Sequence, residues 1–216
     1  MPITTEGRRP LTSRDRPIFK NLAAALARAG VAPNAISFFS IVFGCAAGAA
    51  LAGTSAADGW LLRLCWLAAA GCIQLRLIAN LLDGMVAVEG RRGGPVGDLW
   101  NEAPDRVADA AIFIGAGYAA GGLPLLGFAA ALLAVFVAYV RALGASVGAG
   151  QIFIGPMAKQ HRMFVMTVLC VAAAIFPRLI AGHVLNATLA LVIVGSAITA
   201  VRRLRRIAAF LRRRAA

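Results

Sequence analysis

The chain has 216 residues, 60% of them hydrophobic, with 22 Lys and Arg against nine Asp and Glu, a formal net charge of +13. Soluble globular domains are roughly 45–50% apolar, so this composition, at a mean hydropathy of +0.79, excludes a water-soluble domain and indicates an integral membrane protein. The charge alone would suit a nucleic-acid binder, but the basic residues gather in alternate flanks between apolar stretches, the pattern of membrane topology, so nucleic acid is not an expected partner.

In chain order, residues 13–30 (SRDRPIFKNLAAALARAG) read as a helix opened by Ser13 or Asp15 and closed by Gly30. Ile18, Phe19, Leu22, Ala25 and Leu26 recur at helical spacing, with Arg16, Lys20 and Arg28 elsewhere on the wheel. That pattern suits an amphipathic helix lying on anionic lipid; a cytoplasmic helix packed on the spans is the other reading. Pro33 then interrupts the chain, since proline disfavours a helical residue before it. A membrane-spanning helix needs about 20 mostly apolar residues. Six stretches qualify, at about 35–53, 59–82, 105–121, 124–145, 163–181 and 185–201. The four cysteines, Cys45, Cys65, Cys72 and Cys170, all fall inside these stretches without metal-ligand spacing and read as apolar packing. No removable signal peptide is expected at the start of the chain.

The flanks decide orientation. Arg8, Arg9, Arg14, Arg16, Lys20 and Arg28 precede the first span; Arg91 and Arg92 lie between the second and third. Arg141, Lys159 and Arg162 lie between the fourth and fifth, and Arg202, Arg203, Arg205, Arg206, Arg212, Arg213 and Arg214 follow the sixth. The opposite flanks are nearly free of basic residues, Arg178 apart. The positive-inside rule places both termini in the cytoplasm. The expectation is therefore an all-α integral membrane protein of six transmembrane helices with an N-terminal interfacial amphipathic helix. Residues 1–34 form its cytoplasmic N-terminal segment, 35–201 its membrane domain, and 202–216 a basic tail that continues the sixth span and meets anionic headgroups.

Six of the nine acidic residues (Asp83, Glu89, Asp98, Glu102, Asp105 and Asp109) fall in or just beyond residues 80–105. If the second span stays helical to about residue 87, Arg76, Asn80, Asp83 and Ala87 share a stripe. A charge as deep as Arg76 faces the bundle interior or snorkels; Arg63, nearer the other end, reads as snorkelling. A glycine-rich connection with Arg91 and Arg92 follows, and the third span opens with Asn101, Glu102, Asp105 and Asp109, of which Asn101, Asp105 and Asp109 share a face. Two helix ends thus converge with hard oxygen donors, the ligand type of Mg²⁺, Mn²⁺ or Ca²⁺, and such sites commonly hold substrate phosphates.

The stretch from Asn80 to Asp105 resembles the motif D-x-x-D-G-x-x-A-R-x8-G-x3-D-x3-D of the CDP-alcohol phosphatidyltransferase family. Asp83, Gly84, Ala87, Gly97 and Asp105 stand in register with it, without a gap. The resemblance implies a membrane transferase of phospholipid synthesis. It would pass a phosphatidyl or phosphoalcohol group from a CDP-linked lipid or alcohol to an acceptor alcohol, with CMP leaving. It also implies one or two Mg²⁺ or Mn²⁺ ions held by the motif's acidic positions, Asp105 as the base for the acceptor hydroxyl, and a site on the cytoplasmic face of a bacterial-type inner membrane. Metal ligands or their supports are then Asp83, Asp105, Asn80, Asn101 and Glu102. Gly84, Ala87, Gly97, Arg76, Arg91 and Arg92 line the substrate, and Arg141, Lys159 and Arg162 form a pocket for a phosphate-bearing acceptor or lipid headgroup; for these last three, positive-inside topology alone is the other reading. Membrane lipids are expected partners, and a homodimer is left open.

Three positions depart from the motif: Asn80 and Asn101 replace its first and third Asp, and Val88 its Arg. Asparagine keeps a carbonyl oxygen but loses a charge. Glu102 stands beside Asn101 to restore one, and Arg91 or Arg92 to replace the missing Arg. A non-catalytic lipid- or nucleotide-binding relative is the alternative reading.

Overall fold

The structure, a computed structural model, describes residues 16–89, 97–180 and 182–215. Ser13, Asp15, Arg91, Arg92 and the connection at 90–96 lie outside the described residues, as does the side chain of Asn101. Regular structure among the described residues is entirely helical: α1 (Pro17–Arg28), α2 (Pro33–Gly53), α3 (Gly59–Glu89), α4 (Gly97–Gly117), α5 (Pro124–Ser146), α6 (Lys159–Ile175), α7 (Pro177–Ile180) and α8 (His183–Ala215).

Proline sets several of these starts. Pro17, Pro33 and Pro124 each stand in the first turn of a helix, where the missing N–H costs nothing and the fixed φ is already helical. The described start of α1 is therefore Pro17, with Arg16 at its N-cap and no side-chain capping bond. Gly30, at φ +77°, turns the chain out of α1 toward α2 in a conformation other residues resist.

Among the described residues, four helices are long and apolar enough to cross a membrane: Pro33–Ala56 (α2 with the short 3₁₀ turn after it), Gly59–Val88, Pro124–Ser146 and His183–Ala215. The expected third and fifth spans do form helices, α4 and α6, but neither meets that measure. α4 carries the acidic cluster in its first half, and α6 has 17 residues opened by Lys159 and Arg162. At about 1.5 Å per residue, the 31 residues of α3 and the 33 of α8 run well past a hydrocarbon core of about 30 Å. Asp83 sits in the last turns of α3, and the Arg-rich end of α8 continues that helix without a break.

α2 and α4 meet along a seam of small residues. A Cβ on Gly44 would overlap Ala108, one on Gly48 would overlap the backbone of Ala111, and one on Gly115 would overlap Gly48. Such spacing lets two backbones touch, the usual way helices associate where lipid removes the hydrophobic drive. The main core lies between the middles of the helices, around Leu51, Trp66, Ile73, Phe113, Met163, Met166 and Leu189. α1 docks separately: Phe19, Ala23 and Leu26 pack with Ala79, Leu82 and Val86 of α3, while Ile18 faces outward at 69% exposure. No disulfide ties the fold, the four cysteines being free.

Arg63 is not merely snorkelling. Its guanidinium donates to the carbonyl oxygens of Ala174 (2.9 Å) and Ile175 (3.2 Å), satisfying the orphan acceptors at the end of α6. Arg203 likewise departs from the lipid-facing tail: it is buried and donates to the carbonyls of Ile154 and Val137 at 3.0 Å each. With Thr199, which accepts from the Met157 N–H at 3.0 Å, it fixes the segment leading into α6 onto α8.

Candidate active site

The end of α3, the start of α4, the end of α5 and the start of α6 converge on one group of charges. Arg76, 0% exposed, faces the interior and pairs with Asp105 (3.1 Å) and Asp109 (2.7 Å) of α4. One turn later, the Asn80 amide donates to Asp105 Oδ1 at 2.6 Å. Both oxygens of Asp105 also lie 2.5 Å from Lys159 Nζ. The helical stripe read from sequence then fans out. Asp83 turns from α4 toward α2, where its carboxylate accepts from the Ser37 hydroxyl at 2.9 Å and from the Gly84 N–H at 2.5 Å.

The remaining carboxylates are held by arginine. Asp109 lies between Arg76 and Arg162 (2.9 Å), and Arg162 also donates to the Met157 carbonyl at 3.0 Å. Glu102 pairs with Arg106, one turn along α4, and with Arg141 of α5 through both oxygens at 2.5 and 2.6 Å. Arg141 in turn stands over the Phe153 ring, 5.6 Å from its centroid. Among the described residues, three carboxylates, Glu102, Asp105 and Asp109, are thus ion-paired with five cations. Lys159 stands ahead of the apolar part of α6; burial holds its ammonium below the ordinary lysine range, and Asp105 opposes that shift.

The structure brings Arg76, Asn80, Asp83, Asp105, Lys159 and Arg162 into one network and Glu102 with Arg141 beside it. Gly84 borders open space, since a Cβ there would meet no atom. Ala87 is half-buried on the same helix, and Gly97 opens α4. Arg76 and Arg162, expected to line the substrate, are buried and paired with Asp105 and Asp109 of α4. Glu102, expected beside a metal, is occupied by two arginines.

Two residues escaped the sequence reading. Ser37, in the P-N-A-I-S entry to the first span, is the hydroxyl that holds Asp83; its only signal was a polar residue at the mouth of an apolar helix. Arg106 was legible, because it stands four residues after Glu102 on the same helix, a spacing that pairs opposite charges.

Among the solved structures that share this fold are three of phosphatidylinositol phosphate synthase from Mycobacterium tuberculosis. One, with CDP-DAG bound, is 19% identical, has a TM-score of 0.70, and the match covers 89% of this chain and 94% of that one. A second, in complex with manganese and citrate, is 19% identical at a TM-score of 0.69, covering 88% of each chain. The third, in apo form, is 20% identical at 0.66, covering 87% of this chain and 94% of that one. No family model matches the chain, and no curated protein matches it in sequence. The chain has the fold of that synthase, as its resemblance to the CDP-alcohol phosphatidyltransferases implied.

Proposed function

We propose that this protein is a membrane phosphatidyltransferase of phospholipid synthesis. In this reading it moves a phosphatidyl or phosphoalcohol group from a CDP-linked lipid or alcohol to an acceptor hydroxyl and releases CMP. The observation that carries the reading is the meeting of Asn80, Asp83 and Gly84 on α3 with Asp105 on α4, beside Lys159 and Arg141. The fold around them is one in which a related architecture holds CDP-DAG. The six-span topology, the cytoplasmic orientation and the interfacial placement of α1 belong to the same proposal.

A divalent cation, Mg²⁺ or Mn²⁺, fits the donor set at one place. Asp83 is 5% exposed and held only by neutral donors among the described residues, so it is a buried carboxylate suited to a cation. Asn80, whose amide N–H is engaged by Asp105, keeps its carbonyl oxygen for the same ion, and Asn101 offers a further neutral oxygen by its place in the motif. Bound there, the ion would neutralise charge on a diphosphate. The protein's own groups do the rest. The side-chain-free Gly84 lets the diphosphate approach α3. Lys159 and Arg141 draw and orient anionic substrate at the end of the bundle. Arg76 and Asn80 fix Asp105, which takes the proton of the acceptor hydroxyl. Arg162 holds Asp109 and the turn at Met157, keeping Lys159 in place.

A second reading has one observation in its favour: Asp105, the expected base, already has Lys159 on both oxygens. A binding protein without turnover would show the same contacts. Purified protein in proteoliposomes with CDP-diacylglycerol and a panel of polar alcohols separates the two. CMP release that requires an acceptor and Mg²⁺ or Mn²⁺ supports the transferase; binding of CDP-diacylglycerol without CMP release under any acceptor rejects it.

A further inference from the structure

The carboxylates of the site are of different kinds. Glu102 and Asp109 each lie between two guanidinium groups. Asp105 has an ammonium across both oxygens, with Arg76 and the Asn80 amide behind it. Asp83, as deeply buried as Asp109, has among the described residues a hydroxyl and a backbone N–H. Taking a carboxylate out of water without a counter-charge costs several kcal/mol, so Asp83 is where a cation from outside gains most. Asp105 is the opposite case. A cation arriving there has to displace Lys159 and enter a cluster whose described cations already outnumber its carboxylates. Positions 80 and 101, one on each helix, supply neutral amides where carboxylates would have drawn more positive charge.

We propose that the site takes one divalent cation, at Asp83, and that the Lys159 ammonium occupies the second cation position, on Asp105. This rests on the metal-assisted reading above and deepens it. The bidentate placement of Nζ, 2.5 Å from each Asp105 oxygen, is the position a hard cation takes on a carboxylate. A tethered ammonium carries half the charge of a dication and cannot leave with product. The site therefore keeps a fixed positive group at Asp105 whatever the metal concentration, and only the Asp83 side responds to chelation.

The test is the stoichiometry of Mn²⁺ on the metal-stripped full-length protein in detergent, followed by electron paramagnetic resonance, with CMP release measured on the same preparation. One Mn²⁺ per chain, without spin coupling to a second ion and lost in Asp83→Asn, is the expected result. Lys159→Gln combined with Asn101→Asp is expected to raise the number to two, with a coupled spectrum. Two coupled ions in the unaltered protein would overturn the proposal and leave the transferase reading standing. No bound Mn²⁺ together with CMP release would overturn the assignment of any ion here, and no bound Mn²⁺ without CMP release would overturn the transferase reading as well. The count on the unaltered protein decides the matter even if the double variant fails to fold.

Discussion

Asp83 and Asp109 are buried almost equally, at 5% and 4% exposure, yet the chain treats them in opposite ways. Asp109 is locked between Arg76 and Arg162 and so joins α3, α4 and α6. Asp83 rests on a serine hydroxyl from α2 and on a backbone N–H. The first arrangement is closed in charge, each group meeting its opposite, although Arg76 Nε and Nη1, Arg162 Nε and Asp109 Oδ1 make no hydrogen bond among the described residues. The second, among the described residues, pairs a buried carboxylate with neutral donors only. Burial alone therefore does not mark a functional carboxylate; the charge of its partners does.

The closed side should be the costlier to break. Asp109→Asn leaves Arg76 and Arg162 buried with one fewer counter-charge, and removing one member of such a pair costs about 3–5 kcal/mol. Thermal unfolding in detergent should show that loss, and an unchanged melting curve would show that the clamp is not structural. Next comes the helix seam that carries α4 past α2. Gly48→Val would force side-chain atoms into the backbone at Ala111 and should cost about 1–3 kcal/mol by overpacking, read in the same way. Ser37→Ala removes one of the two neutral donors on Asp83 and should destabilise by about 1–3 kcal/mol while weakening CMP release more than the fold. Smallest is Glu102→Gln. Its partners are partly exposed, so stability should fall by less than about 1 kcal/mol, and the KM for substrate should rise as Arg141 loosens. Loss of Mn²⁺ binding in Glu102→Gln would instead make Glu102 a ligand and blur the contrast between the two sides.

Much of this was legible from residue order. The 3.6-residue period placed Arg76, Asn80 and Asp83 along one helix and Asp105 with Asp109 along another, and both helices formed. The basic flank between the fourth and fifth spans supplied Arg141, Lys159 and Arg162, all of which contact acidic residues of α4. What could not be read was which cation meets which carboxylate. That depends on how α5 and α6 pack beside α4, and no spacing along one helix encodes it. The same limit hid Ser37, whose partner lies 46 residues away. It also hid Arg203, which has the sequence signature of a lipid-facing arginine but turns inward to two carbonyls. Spans were harder still: α4 carries charges in its first half that an apolar count penalises, and α6, at 17 residues, falls short of the about 20 that a span needs.

The most direct measurement is CMP release by Asp83→Asn in proteoliposomes containing CDP-diacylglycerol, Mn²⁺ and the acceptor that the unaltered protein uses, alongside its melting temperature. The substitution removes the charge and nearly preserves the shape. If Asp83 holds the catalytic cation, the variant folds and its CMP release falls on the order of 10²- to 10³-fold, the scale of losing one charge-stabilising group in an active site. A folded Asp83→Asn protein releasing CMP at the unaltered rate would contradict that assignment.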